Sequence, residues 1–459
     1  MDNTPDLSNS LNVIAEFAEL PPEHIARLSA LIKAYTKMPD RCASDENSRK
    51  LRKELTVYYQ ELYRRAFFIS LETSPIPNEV LMFFYFGYID KDLAGEENAQ
   101  FLYKTAAELT IDEQGRIFPF YHWLRMIYMG KKDPSINDFS VDYVATVRKM
   151  KHDEGWTDEK ELSELHNGDK RVKFELANMF ASANRMMTSR VTTFCPFFAD
   201  HNVFKPLSQT LLTYDIIHQG LNVMRSLDFS LFYRETIYSN PDIGVPKQII
   251  KVEVLPDVIL MPVVGERSSM WQEITGAKRT TPGRFILPIF EQEDISKNIM
   301  KMCGEFRWEL CRRVQGARWN DLSEHSLTSD YCDYIDTYKR NRDLSPEARE
   351  KIKSALVKCR NSYKDMFSLD YITFILYESS GALRLNKVAR NILFTYCPFS
   401  KVLRSGVLAA NPMYQPMIER YTNMTKHEQR LFDVVCQRIT GLDKEIPPEL
   451  KNFGLFLNM

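Results

Sequence analysis

The chain has 459 residues and a formal net charge of −1, from 60 lysines and arginines against 61 aspartates and glutamates. Hydrophobic residues make up 44% and charged residues 26%, a globular composition that excludes general disorder and fibrous repeats. The balanced charge argues against nucleic acid as a partner. Residues 351–459 nevertheless hold 16 basic and 9 acidic groups, a difference of +7. This basic half-lobe either complements the acidic remainder of the chain or binds an anionic partner.

The first 240 residues are predicted to be mainly helical, because apolar residues recur there at helical spacing. The clearest apolar stripe consists of Val172, Leu176, Met179, Ala183 and Met186. Further helices are predicted at 11–36, 47–68, 77–89, 96–109, 117–130, 139–152 and 203–226. The highly charged segment 151–171 is predicted to be an exposed excursion or linker.

The pattern changes near residue 241. Ile250, Val252 and Val254 alternate with charged residues, which is typical of a half-buried strand. Mostly apolar runs at 258–264 and 284–290 predict two more strands, joined by a long loop.

Helical spacing resumes after Glu291. Met302, Phe306 and Leu310 are predicted to line the core face of one helix. A second stripe predicts a continuous helix after the start signal at Ser345, and it comprises Ile352, Leu356, Cys359, Tyr363 and Met366. Shorter helices are predicted at 386–397, 400–409 and 425–440.

These elements together predict a mainly α fold, a multi-helix body with a small central antiparallel β-sheet of about three strands. The expected organisation is a helical region (1–240), a small β insertion or sheet (241–291) and a helical C-terminal region that carries the basic half-lobe (292–459).

The N-terminal residues are polar, and no apolar run approaches the roughly 18 residues that a membrane-spanning helix needs. We therefore expect no membrane insertion. The eight cysteines are scattered and none forms C-x-x-C. They are interpreted as reduced thiols of a cytoplasmic protein.

Strong catalytic, metal-binding and nucleotide-binding motifs are missing from the sequence. No catalytic residue, metal ligand or cofactor is therefore assigned. Cys195 and Cys397 each precede a proline, and His201 lies six residues after Cys195. Reactive thiols or a metal ligand are possible readings, but structural packing is the favoured interpretation. Residues 331–342 interleave Tyr331, Tyr334 and Tyr338 with basic residues, which is the composition of a single-strand nucleic-acid platform, but interspersed acidic residues argue against it.

Cations are dense between residues 265 and 320 and suggest a site for an anionic ligand, because guanidinium and backbone N–H groups bind phosphate and carboxylate. The hypothetical ligand-binding residues are Arg267, Lys278, Arg279, Arg284, Arg307 and Arg318. The alternatives are a solvated loop at 265–284 or self-pairing with nearby carboxylates. Glu305 and Glu309 lie one helical turn apart and could act as an acid–base pair, but an ion-pair network with neighbouring arginines is favoured.

Several short blocks resemble a family of bacterial proteins labelled cyclic-nucleotide-binding-domain-containing. These blocks are M-W-Q-E at 270–273, R-T-T-P at 279–282, G-E-F-R-W-E at 304–309, A-R-W-N-D at 317–321 and L-N-K-V-A-R at 385–390. The resemblance implies an eight-stranded jelly roll with a short cassette in which Arg-Thr or Arg-Ser closely follows Gly-Glu. Here Arg279-Thr280 follows Gly265-Glu266 at a longer distance, so no binding residue is transferred.

The sequence thus predicts a non-enzymatic interaction or regulatory protein with a protein partner. The alternative is a sensor or enzyme that handles an anionic small molecule, phosphorylated or a nucleotide, at the 265–320 cation cluster.

Overall fold

The computed structural model describes residues 10–38, 45–89, 96–109, 114–136, 141–186, 197–198, 205–271, 283–341 and 345–459. The chain divides into two compact units. Unit 1 comprises Met1–Ile216, Asp257–Ser269 and Phe285–Ile295, and unit 2 comprises Ile217–Pro256, Met270–Arg284 and Ser296–Met459. The three segments inferred from the sequence follow changes of composition along the chain, whereas each compact unit combines pieces of several segments.

The mainly α fold is confirmed. The helices up to the end of unit 1's first segment are α1 (Ser10–Phe17), α2 (Pro22–Thr36), α3 (Glu46–Ser70), α4 (Asn78–Phe86), α5 (Glu96–Glu108), α6 (Phe120–Tyr128), α7 (Tyr143–Glu154), α8 (Asp158–Leu165), α9 (Gly168–Met186) and α10 (Leu207–Thr210), and α11 (Tyr214–Leu227) follows. The apolar stripe predicted from Val172 to Met186 is buried on α9, as its spacing requires. Helix α8 buries no residue, in line with the exposed excursion predicted there.

Prolines account for two differences from the predicted helices of unit 1. The segment 11–36 is two helices, because Pro21 and Pro22 interrupt it and Pro22 starts α2. The segment predicted as a helix from residue 117 begins as a strand, since Pro119 disfavours helical backbone in the residue before it.

The strands are β1 (Tyr88–Ile89), β2 (Ile117–Pro119), β3 (Phe197–Phe198), β4 (Tyr233–Asn240), β5 (Val245–Glu253), β6 (Asp257–Gly265), β7 (Ser269–Trp271) and β8 (Arg284–Glu291). A four-stranded sheet has the order β2-β6-β8-β7, and β2 runs parallel to β6. Every residue of β6 and β8 is buried, which explains why both strands are apolar without alternation.

The predicted strand around Ile250 belongs to a separate sheet. It lies in β5, which pairs with β4 as an antiparallel two-stranded ribbon in unit 2. The three predicted strands therefore exist but occupy two sheets, and β4 was not foreseen. The eight-stranded jelly roll implied by the family resemblance is not formed by the strands of the described residues.

The remaining helices are α12 (Ile295–Gln315), α13 (Leu327–Arg340), α14 (Pro346–Lys358), α15 (Tyr363–Leu376), α16 (Lys387–Tyr396), α17 (Lys401–Ala410), α18 (Gln415–Thr440) and α19 (Pro448–Leu457). The continuous helix predicted through Cys359 is two helices. Arg360 and Asn361 both have left-handed backbone, with φ of 52° and 61°, and end α14. Within the described part of the chain, no helix is both long and apolar enough to cross a membrane.

Candidate functional site

Unit 2 contains a pocket of about 260 Å³ between β4, α12 and the turn that leads into α13. Its lining residues among those described are Tyr233, Arg234, Glu235, Arg307, Leu310, Cys311, Gln315, Glu324, His325, Ser326, Leu327 and Tyr396. The wall therefore combines charged groups with aromatic and aliphatic side chains, the usual composition of a small-molecule site.

Helix α12 positions one side of the pocket. Its predicted core face is confirmed, because Met302, Phe306 and Leu310 are all buried. Arg307 follows Phe306 on the helix and is itself buried, at 9% exposure. A buried cation requires a partner, and Asp228, directly after α11, supplies one.

Arg307 is held by three acceptors. Its Nη2 donates to Asp228 Oδ1 at 2.6 Å and to Ser230 Oγ at 2.9 Å, while its Nη1 donates to the Tyr396 carbonyl oxygen at 3.1 Å. Burial disfavours the guanidinium charge, but the Asp228 carboxylate outweighs this effect and raises the pKa of Arg307. The arginine therefore stays charged at any ordinary pH.

These three hydrogen bonds use three of the five N–H groups of the guanidinium. Arg307 Nε is buried and has no hydrogen-bond partner among the described residues. Both oxygens of Asp228, in contrast, accept hydrogen bonds, since Tyr371 OH donates to its Oδ2 at 2.9 Å. An unmatched buried N–H group costs roughly 1–3 kcal/mol.

Tyr396 and His325 form another part of the wall. Tyr396 OH donates to Asp330 Oδ2 at 2.6 Å and lies 2.8 Å from the His325 carbonyl oxygen. His325 has left-handed backbone with φ of 45°, and the next residue, Ser326, caps α13 through a reciprocal pair with Ser329. The cap and the tyrosine together fix the turn that borders the pocket.

Of the six hypothetical ligand-binding residues, Arg307 lies in the pocket wall. Arg318 is exposed and pairs with Asp321 at 3.2 Å and with Glu324 at 2.6 Å, so it adjoins the pocket through Glu324. Arg284 is buried at the start of β8.

The other three hypothetical residues are Arg267, Lys278 and Arg279. Arg267 lies in unit 1, where its backbone N–H donates to the Met186 carbonyl oxygen at 3.2 Å. Lys278 and Arg279 lie outside the described residues. The joint site of all six cations stays a prediction.

Glu305 and Glu309 of α12 both have cationic neighbours. The sequence predicted arginines, but two of the three neighbours are lysines. Glu309 lies 3.1 Å from Arg312 and 3.6 Å from Lys364, and Glu305 lies 3.5 Å from Lys301. Burial raises the pKa of Glu305 despite the nearby lysine. Neither carboxylate is among the residues that line the pocket, so acid–base chemistry there gains no support from this pair.

Two other sequence hypotheses are not supported. Tyr331 and Tyr334 are buried, and Tyr331 OH donates to Asp370 Oδ2 at 2.7 Å, so these rings cannot form a nucleic-acid platform. Cys397 is fully buried, and burial raises the pKa of its thiol, which opposes a nucleophilic thiolate. Cys195 and His201 lie outside the described residues. Among the described residues no group of acidic, histidine and cysteine side chains could hold a metal ion.

Sequence reasoning missed most of the wall and the partners that hold Arg307 behind it. Asp228 and Tyr371 lie 79 and 64 residues from Arg307 in the chain, so no local spacing connects them. Arg234, buried at 3% exposure, lies on a strand that showed no alternation of apolar residues. A signal existed only for α12, whose helical periodicity placed Arg307 beside the core face.

A family model described as Domain of unknown function (DUF8509) matches residues 316–456. The match covers less than half of the chain and includes the α13 turn and Tyr396, but not β4 or Arg307. Searches of curated proteins and of solved structures found no match.

Proposed function

We propose that the protein is a cytoplasmic, non-enzymatic regulatory protein whose unit 2 binds a small molecule through an acidic group. The observation that carries this proposal is Arg307, a buried and permanently charged arginine in the pocket wall that keeps two N–H groups, Nε–H and one on Nη1, without an acceptor among the described residues. A carboxylate or phosphate oxygen fits such a donor better than a neutral acceptor does.

The thiols support the regulatory and cytoplasmic parts of the proposal. The described cysteines are free thiols, and burial raises the pKa of Cys303, Cys332 and Cys397. Such groups favour a structural role in a reducing compartment over nucleophilic catalysis. The protein partner predicted from the sequence stays part of the proposal.

The test combines ligand-dependent melting with a local probe. The full chain is screened by thermal shift against inorganic phosphate, nucleotides and small carboxylic acids, since a ligand at 100 times its Kd adds about 2.7 kcal/mol. Cys311 lines the pocket, so a ligand bound there should slow its alkylation by iodoacetamide, measured by peptide mass spectrometry. Cys436, which lies on α18 outside the pocket, is the internal control.

A matched pair of variants locates the binding. Gln315→Trp should fill the pocket and abolish the stabilisation, whereas Gln437→Trp, on an exposed position of α18, should preserve it. If no compound raises the melting temperature, or if stabilisation persists in Gln315→Trp with Cys311 unprotected, the pocket is not the functional site.

A further inference from the structure

The two-stranded ribbon of β4 and β5 has two unlike faces, because side chains alternate along each strand. One face carries Ile250 and Val252 and packs into an apolar cluster with α18 and α19. The opposite face, called here the outer face, carries Ile237 and Ile249, which are 56% and 54% exposed. These two residues stand directly opposite each other in the ladder. Their side chains therefore form one exposed apolar pair, a candidate contact surface.

Unlike charges lie beside this pair on the outer face. Glu235 and Lys251 are opposite each other in the ladder, two residues from the isoleucines along each strand. No ion pair joins them, and neither forms one with another of the described residues. Lys251 Nζ lies 5.2 Å from the centre of the Phe456 ring, a neutral neighbour. The carboxylate and the ammonium group therefore both lack a countercharge.

The other charges of the ribbon leave this pattern unchanged. Glu253 lies on the outer face but is 2.6 Å from Arg225, which neutralises it. Arg234 is buried and belongs to the opposite face. Lys247 is exposed at the far end of the outer face, where β4 contributes the uncharged Ser239.

The outer face is complementary to itself. When two copies pack face to face about a twofold axis parallel to the strands, each strand lies over the partner strand of the other copy. Ile237 then meets Ile249 of the second copy, and each of these contacts occurs twice. Glu235 likewise meets Lys251 of the second copy. An axis across the strands would instead place Lys247 over Lys251, and these like charges would repel.

We propose that the outer face of the ribbon is a self-association surface whose partner is the same face of a second copy of this chain. The match of unlike charges under one twofold axis favours a second copy over an unrelated partner. The inference goes beyond the proposed ligand site and does not depend on it. Because the face spans only two short strands, the dimer belongs to the weak and transient class of interfaces.

Sedimentation velocity of the full chain over a range of concentrations measures the self-association. No pocket ligand is added, since Glu235 also lines the pocket. Ile237→Asp should weaken association at least about tenfold, because each dimer would bury two new charges against apolar surface. Leu162→Asp is the matched control and should leave association unchanged, since Leu162 is 59% exposed on α8. Circular dichroism checks that both variants are folded.

Charge reversal tests the arrangement of the two copies. Glu235→Lys alone, or Lys251→Glu alone, places like charges across the interface and should dissociate the dimer. An equimolar mixture of the two single variants should associate again, because each carboxylate of one variant then faces an ammonium group of the other. The double variant should also associate with itself.

The proposal is overturned if the chain stays monomeric up to about 1 mM, the weak end of specific association. It is also overturned if Ile237→Asp is folded and associates as the unaltered chain does. If Ile237→Asp does not fold, the charge-reversal mixture decides. Association that is restored only in the mixture and in the double variant supports the twofold arrangement, and its absence there overturns it.

Discussion

Two buried arginine–carboxylate pairs of unit 2 differ in how completely their polar groups are used. Glu378 is fully buried and accepts from Arg390 Nε at 2.6 Å, Arg390 Nη2 at 2.8 Å and Tyr414 OH at 2.6 Å. It also accepts from the backbone N–H groups of Arg384 and Leu385, at 2.9 and 2.6 Å. These five hydrogen bonds leave the Glu378 carboxylate no lone pair for a ligand, although the two N–H groups on Arg390 Nη1 have no acceptor among the described residues.

The Arg307–Asp228 pair is built alike but borders a cavity. Its carboxylate accepts three hydrogen bonds, whereas two N–H groups of its guanidinium, Nε–H and one on Nη1, have no acceptor among the described residues. The Glu378–Arg390 pair, called here the closed pair, is suited to stabilising the fold, because removing Glu378 leaves several buried donors without an acceptor. The Arg307–Asp228 pair is called the open pair. The open pair borders the pocket through Arg307, and this position distinguishes a candidate site from a structural ion pair.

The largest expected effect is on the closed pair. Glu378→Ala should lower the free energy of unfolding by about 5 kcal/mol, at the upper end for a broken buried pair, because Arg390 and three further donors lose their acceptor. Urea denaturation followed by circular dichroism measures it. The exposed pair Arg27–Glu54 is the control, and Glu54→Ala should cost less than about 1 kcal/mol. Equal losses in both variants would remove the distinction.

The helix that carries the open pair should depend on its apolar face. Phe306 is fully buried, and Phe306→Ala should cost about 3–5 kcal/mol through lost burial and a residual cavity. Val402 is 84% exposed on α17, so Val402→Ala should change stability by less than about 0.5 kcal/mol. A comparably small loss for Phe306→Ala, in the same denaturation assay, would mean that α12 does not turn the face with Phe306 towards the core.

A third carboxylate, that of the half-buried Asp370, has a tyrosine rather than an arginine as its partner. Burial raises the pKa of Asp370 to about 6, against about 3.9 in an unfolded chain. Its contribution to stability is complete below about pH 4 and is lost as the pH rises through 6, because the folded state binds the proton more tightly.

The expected loss from Asp370 is about 2 kcal/mol between pH 4 and pH 7. Asp370→Asn retains an acceptor for Tyr331 OH and should remove this part of the pH dependence. The measurement is the unfolding free energy of both proteins across this range. Parallel pH profiles would show that Asp370 titrates normally.

The smallest effect concerns access to the open pair. Cys311 lies in the pocket wall and is partly exposed, whereas Cys303 and Cys397 are buried with raised pKa values. In the native apo protein Cys311 should therefore be alkylated at least about tenfold faster than the other two. Time-resolved mass spectrometry of the peptides reports the three rates. Equal protection of all three thiols would indicate that the pocket is closed in solution.

The sequence predicted what depends on local periodicity. The burial of Met302, Phe306 and Leu310 followed from their spacing, and Arg307 was selected because cations are dense in that segment. The same reasoning failed where spacing continued across a break, since left-handed residues at 360 and 361 separate α14 from α15. Periodicity describes the faces of elements but does not detect a change in backbone direction.

The polar partners could not be predicted because they are distant in the chain. Asp228 reaches Arg307 across 79 residues and Glu378 reaches Tyr414 across 36. Which of the many carboxylates pairs with which arginine is decided by tertiary packing, and the sequence of one chain contains no pairing signal. The candidate pocket was therefore approached from the sequence only through Arg307.

Tyr396 contacts two different parts of the pocket at once. Its carbonyl oxygen accepts from Arg307, and its hydroxyl bonds to Asp330 in the first turn of α13. A ligand that displaces this single residue would alter both contacts, so occupancy would be coupled energetically to the start of α13. Such coupling is reciprocal. If the small molecule changes the affinity of a macromolecule for α13 by a given factor, the macromolecule changes the affinity for the small molecule by that same factor.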